Sequence, residues 1–231
     1  MAPVTSGDPT TRSAFVHAQL REDVLRGMLP PGSRLRFVEL AERFSVSQSV
    51  VREALTRLAE QGLAVAMPQQ GFRVRPLTLA DLDELTEARI EIETLVLRRS
   101  IQRGGLAWES SVLAAHHTLA NTPLTFPSGD VNPEWAEAHD EFHSATLRGC
   151  GNERLLSIAS SLRDAASLYR WWSRTVGHDE NRDHALEHRQ ILDATNARDE
   201  EGATRALAQH IQRTSDALRT AASEASHQQA S

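Results

Sequence analysis

Apolar residues fall at helical spacing along most of this chain, and the exceptions gather in one short stretch. From Thr11 to Gly27, Phe15, Val16, Leu20, Val24 and Leu25 share one side of a predicted helix. Leu29-Pro30-Pro31-Gly32 reads as a turn. A short periodic segment, Phe37 to Phe44, is followed by Ser45-Val46-Ser47, and a longer one runs from Gln48 to Gln61, where Gly62 stops it. Two short apolar runs then flank Pro68-Gln69-Gln70-Gly71, which reads as a hairpin. Helix, tight turn, helix and hairpin in that order predict a winged helix-turn-helix.

No alternating strand pattern appears after Val74. Helices are predicted at 79–103, 107–121, 132–149, 152–176, 179–198 and 200–222, with breaks at Gly104-Gly105, Thr122 to Gly129 and Gly149-Cys150-Gly151. Thr78, with Asp81 three residues on, forms a carboxylate capping box that starts the first of them. The expected fold is mainly α: an N-terminal winged helix-turn-helix with a small β wing over residues 11–76, then a C-terminal all-α helical bundle over 77–222. A disordered tail is expected over 1–10 and a flexible one over 223–231.

Charge sharpens that division. All 25 basic residues are Arg. Residues 1–77 hold ten Arg against seven acids, a net of +3, whereas 78–231 hold fifteen against twenty-four, a net of −9. The first part suits phosphate and the second does not. No apolar run approaches the roughly 20 residues that cross a bilayer, so no membrane association is expected. Met1 to Thr10 lacks the basic start and apolar core of a signal peptide. The single Cys150 precludes an internal disulfide and fits a reducing cytoplasm.

Within the second helix, Val50, Val51, Ala54, Leu55 and Leu58 form the inward stripe, leaving Gln48, Ser49, Arg52, Thr56 and Arg57 for other faces. Ser47 is placed to cap this helix. Free N–H groups at a helix start favour phosphate, and the hydroxyls of Ser47 and Ser49 add donors. Gln48 can pair with an adenine edge, and Arg52 with guanine or phosphate. Arg52 can also pair with Glu53 or Glu42 on a solvated face; the helix-turn-helix setting favours DNA. Arg34, Arg36, Arg57, Gln70 and Gly71 complete the candidate DNA-binding set.

The string PGSRLRFVELAERFSVSQSVVREALTRLAEQGL, with GFRV after it, resembles the N-terminal domain of GntR-type bacterial transcription regulators from about Phe15 to Val74. Gln48 stands where that family commonly has Arg, and Val50 where it often has Pro or Thr. The resemblance implies that Arg52 contacts an operator and that Gly71, at the wing tip, approaches the minor groove. One such domain reads one half-site, so a homodimer on a palindromic double-stranded operator is expected.

Histidines carry the second signal. His139 and His143 are four apart, and Trp135, Phe142 and Thr146 continue their face. His188 lies one turn before Ile191 and Leu192, and His210 lies between Leu207 and Ile211. Three helices each place imidazole on an apolar side, which is how helical bundles build metal sites; a single such His is more often a core residue bonded to a carbonyl. Arg89 likewise interrupts the stripe Leu82, Leu85, Ile92, Val96, and a buried guanidinium needs an anion: either Glu93, one turn on, or a ligand carboxylate. Tyr169, Arg170 and Trp172 either line the same cavity or serve as packing.

The segments DEFHSATLRGCGNERL, LEHRQILDATNARDEEGA and ALAQHI resemble the ligand-sensing helical domain of the fatty-acid-regulator branch of GntR proteins, over about Asp81 to Ser215. Many members hold a divalent metal with one Asp and three His. The three His map onto His143, His188 and His210, and His139 occupies the position of the Asp, with Asp140 beside it. Either the site is four imidazoles or His139 binds something else. A four-His site carries no ligand charge and favours Zn, Ni or Cu over Mg or Mn. The Arg of a pattern like EARIEIE commonly binds the effector acid in this family, which implies that role for Arg89. Trp135–His143 and Tyr169–Trp172 are also similar to glutarate- and carbon-starvation-type repressors, which implies a dicarboxylate. The expected function is an operator-binding repressor released by a small organic acid. A metal-responsive regulator is the alternative. A metalloenzyme is disfavoured because no H-E-x-x-H is present, so no catalytic role is assigned.

Overall fold

The computed structural model describes residues 9–128, 132–176 and 183–229, with side chains over 12–128, 132–169 and 183–220. The chain runs α1 Pro9–Leu25, β1 Arg34–Leu35, α2 Phe37–Phe44, α3 Gln48–Glu60, β2 Ala64–Met67, β3 Gly71–Val74, α4 Leu79–Arg103, α5 Leu106–Asn121, α6 Pro133–Leu147, a 3-10 turn Arg148–Cys150, α7 Glu153–Val176, α8 His184–Asn196 and α9 Glu200–Gln229. It divides into two compact units. One holds the described residues up to Leu82 together with Asp164–Trp172; the other holds Asp83–Arg163 and the described residues from Ser173 on.

In the first unit, α1, α2 and α3 pack on a three-stranded antiparallel sheet of order β1-β3-β2. Ala64 faces Val74 and Met67 faces Gly71 in the hairpin, while Leu35 faces Phe72 on the other edge. The pair Arg34–Leu35 is a strand the periodicity does not announce, because two residues are too few to alternate. Val16, Leu20 and Val24 of α1 meet Val51, Ala54, Leu55 and Leu58 of α3 in one core. Phe15 is not among them: at 51 % exposure it sits a helical step away from the stripe that Ser13, Val16, His17, Leu20 and Val24 form. Val50 only flanks this core, half-buried. Leu168 of α7 completes it.

The cap at the start of α4 departs in part from expectation. Asp81 N–H does donate to Thr78 Oγ1 at 3.1 Å. The Asp81 carboxylate, however, does not fold back on Thr78; it pairs with Arg75 at 2.7 Å and accepts from the Tyr169 hydroxyl at 2.7 Å. That hydroxyl reaches the backbone of Thr78 as well, accepting from its N–H at 3.4 Å. Burial alone would raise the Asp81 pKa, but the bonds from Arg75 and Tyr169 together hold it below its ordinary range.

In the second unit, the helices enclose a core built around Leu97, Trp108, Val112, Phe142, Ile191, Leu207 and Ile211. Gly149 is required by packing: a Cβ there would lie 2.9 Å from both the Ser100 carbonyl and the Trp108 ring. Two helix ends differ from those the sequence predicts. Helix α1 begins at Pro9, and α9 continues to Gln229, past the expected end at 222, because the chain from Ala221 on keeps helix-forming residues with no Gly or Pro to stop it. Residues 1–8 and the start of the helix expected over 179–198 lie outside the described residues.

Candidate functional site

The DNA-reading face is set by the turn between α2 and α3. Ser45 takes the left-handed conformation, φ 53°, and lets Val46 N–H close back on the Ala41 carbonyl at 3.0 Å. The chain can then start α3 at once. Ser47 stands at the N-cap in extended conformation but makes no cap bond; its Oγ lies 2.7 Å from Ser49 Oγ instead. The neighbouring hydroxyl has outcompeted the backbone, so the expected Ser47 cap is absent and both hydroxyls sit exposed at the helix start.

Gln48, Ser49, Arg52 and Arg57 are all exposed on α3. Arg52 does not pair with Glu42 or Glu53; its guanidinium lies over the Phe37 ring, 4.6 Å from the centroid. The same ring makes an edge contact with Phe72 at 6.0 Å and lies 3.3 Å from where a Cβ on Gly71 would be. Phe37 therefore ties the reading helix to the wing, a link that sequence spacing does not reveal. Gly71 has φ +85°, which favours glycine on its own account. Arg34 donates to Gln70 at 3.3 Å, and Arg36 pairs with Glu39 at 2.7 Å on the exposed face.

The second site lies among α6, α8 and α9. His139 and His143 of α6, His188 of α8 and His210 of α9 are all buried, and each offers a ring nitrogen within 4.8 Å of the others. The rings are packed against one another: His143 and His210 centroids are 4.8 Å apart, and so are those of His188 and His210. Trp135 stacks on His139 at 4.9 Å and closes that side. Both ring nitrogens of His143 are buried without a hydrogen-bond partner. Unpaired buried nitrogens are costly, and a cation between four imidazoles would take up one of the two. Burial, then the neighbouring His139, His210, Arg163 and His188, push the His143 pKa well below its ordinary value, so this ring is neutral and its lone pair is free to ligate. His139, which helical spacing sets on the same face as His143, belongs to this cluster with the other three. Asp140, its neighbour, is half-exposed with Oδ1 3.5 Å from His139 Nδ1.

Arg89 is buried and donates from Nε to Glu93 Oε1 at 2.6 Å. The other Glu93 oxygen lies 3.7 Å from Nη1 of Arg163, a residue sequence reading passed over. The signal was there: Ala159, Arg163 and Ala166 follow helical spacing, so Arg163 interrupts a buried stripe as Arg89 does. Arg163 also donates to the Asp140 carbonyl at 3.0 Å, and its charge is felt at His143. It links the Arg89–Glu93 pair to the imidazole cluster. Tyr169 belongs to the first unit, where its hydroxyl meets Thr78 and Asp81, and Arg89 to the second. The side chains of Arg170 and Trp172 lie outside the described residues. Glu187, also passed over, is buried and lies 2.8 Å from His210 Nδ1.

A winged reading helix on one unit and a buried cluster of imidazole and guanidinium in the other define a DNA-binding regulator with a ligand-sensing helical domain. Comparison with known proteins makes the class specific. The chain belongs to the gntR family of bacterial regulatory proteins, whose model matches residues 12–74, and carries an FCD domain over residues 84–213. It is 33 % identical over 195 residues to the HTH-type transcriptional repressor GlaR of Escherichia coli, covering 83 % of this chain and 89 % of that protein. It is 27 % identical over 205 residues to the repressor RspR of the same organism, covering 88 % and 87 %. Among solved structures, E. coli McbR/YncC has the same fold, with TM-score 0.76, 24 % identity, and coverage of 90 % of this chain and 97 % of that one. A putative GntR regulator from Rhodococcus is similar at TM-score 0.73 and 25 % identity, covering 91 % and 98 %. Family and relatives are transcription regulators rather than enzymes. Among the described residues, no helix is long and apolar enough to cross a membrane.

Proposed function

We propose that this protein is a homodimeric cytoplasmic repressor, released from a palindromic operator by a small dicarboxylate. Residues 11–76 serve DNA, through Arg34, Arg36, Ser47, Gln48, Ser49, Arg52, Arg57, Gln70 and Gly71. Residues 77–222 serve effector binding and dimerisation. His139, His143, His188 and His210 hold a divalent metal, zinc by preference, with nickel or another transition metal as substitute.

The observation that carries this reading is the buried charge balance. Arg89 and Arg163 share one buried carboxylate, Glu93, and the imidazole cluster brings no charge of its own. A divalent ion there leaves the interior positive even with Glu187 counted, and a dianion restores balance. One effector carboxylate would meet the metal and the other the Arg89–Arg163 side. Effector binding alters DNA affinity only by favouring one dimer geometry, by an amount equal to the coupling energy. The orphaned nitrogens of His143 support a second reading, in which the metal itself is the signal.

Anisotropy with the promoter upstream of the protein's own gene tests both, with and without a panel of mono- and dicarboxylic acids. Specific binding abolished by a dicarboxylate supports the repressor. Binding lost on chelation and indifferent to every acid moves the assignment to a metal sensor. No sequence preference at physiological salt overturns the operator reading.

A further inference from the structure

Glu187 is a buried carboxylate whose position the four imidazoles do not by themselves require. It stands on α8 immediately before His188, 5 % exposed. Its Oε2 lies 2.8 Å from Nδ1 of His210 on α9, and its Oε1 accepts from Nη1 of Arg213 at 3.2 Å. A carboxylate can only accept, so Nδ1 of His210 carries the ring proton and Nε2 keeps its lone pair. His139 Nδ1 lies 3.5 Å from the half-exposed Asp140, and neither nitrogen of His143 has a hydrogen-bond partner.

We infer that Glu187 is the outer carboxylate of the metal centre, a positioning residue that acts through His210. It fixes the tautomer of His210, aims Nε2 at the ion, raises the basicity of that ligand and returns negative charge to a ligand set that has none. Arg213, one turn beyond His210, braces the carboxylate from the α9 side. The inference rests on the four-histidine metal reading above.

The test uses the full-length protein stripped of metal, with Zn2+ as probe and a chromophoric chelator as competitor. Glu187→Gln keeps the side chain's shape and removes its charge, and is expected to weaken zinc binding by about 10–100-fold. In the metal-free protein, long-range 1H–15N spectra should show His210 protonated at Nδ1, and Glu187→Leu should convert it to a mixture of tautomers. A merely structural Glu187 would give the opposite pattern: a lower melting temperature without metal and unchanged zinc affinity in Glu187→Gln. That result overturns the inference. Failure of the unsubstituted protein to take up zinc is visible before any substitution is made; it removes the metal reading itself, and this inference with it.

Discussion

Replacing Glu93 by Gln is the sharpest test of the buried charge network. Glu93 is 0 % exposed, and the two guanidiniums that depend on it expose only 8 % and 7 % of their side chains. One contact is a close hydrogen bond at 2.6 Å and the other a looser approach at 3.7 Å. Gln preserves the shape and removes the carboxylate charge that Arg89 and Arg163 share. Taking one partner from a buried ion pair costs about 3–5 kcal/mol. The upper half of that range is expected, because two cations lean on one carboxylate and Asp140, the other acid near Arg163, is half-exposed. At roughly 2–4 °C per kcal/mol for a chain of this size, the melting temperature should fall by about 8–20 °C. Removing Arg89 together with Glu93 should cost less than Glu93→Gln alone, since the buried cation that leans hardest on Glu93 is then gone. Urea unfolding followed by circular dichroism reads both. A dicarboxylate at a hundred times its Kd should return about 2.7 kcal/mol to Glu93→Gln, because it binds only the folded state. If Glu93→Gln unfolds within about 0.5 kcal/mol of the unsubstituted protein, the network is not a stranded positive centre and the effector argument built on it fails.

Other predictions follow from single contacts. Gly71→Ala forces a side chain into a positive φ and against the ring of Phe37; it should cost about 1–2 kcal/mol in stability and weaken operator binding, as read by thermal melts and anisotropy on one sample. Arg52→Ala should weaken specific DNA binding by about 1–3 kcal/mol and relax the preferred sequence, which a binding-site selection would report. Tyr169→Phe removes a hydrogen bond to an ionised carboxylate and should cost about 1.5–3 kcal/mol in unfolding by urea, with effector affinity unchanged. The metal-free protein should lose stability as pH falls. Burial lowers the folded-state pKa of His143 and of His17, and His116 is lowered for the same first reason, so the unfolded chain binds more protons below about 6.5. Melting temperature should therefore fall between about pH 7 and 5, and zinc should protect less at the acidic end.

The reading helix and its turn were legible because both rest on local rules: a 3.6-residue stripe through Val51, Ala54, Leu55 and Leu58, and a Gly at the end. The histidines were legible for the same reason, each lying one helical turn from an apolar neighbour. Contacts made by one residue with a partner far along the chain left less trace. Phe37 looks like any core aromatic until the structure sets it between Arg52, Phe72 and Gly71. Glu187 has a carboxylate in a stripe with Ile191 and Thr195, which spacing could have flagged, but only the fold supplies His210 as its partner. The bonds of the Tyr169 hydroxyl to Thr78 and Asp81 at the start of α4 join residues 91 and 88 positions apart and leave no mark in local spacing.

The membership of Asp164–Trp172 in the N-terminal unit bears on how this protein can be dissected. A fragment ended near residue 76 would look complete on a sequence map. It would nonetheless lack Leu168 in its core and would leave Asp81, Tyr169 and Asp164, the ion-pair partner of Arg21, on the discarded side. Such a fragment should be aggregation-prone, with a wet apolar socket where Leu168 packs. Chimeras that exchange sensor domains between relatives face the same difficulty. Swapping everything after residue 76 imports a foreign stretch of α7 into the recipient's DNA-binding unit. Splices that carry the recipient's own 164–172 into the donor helix should express and bind where plain two-piece fusions do not.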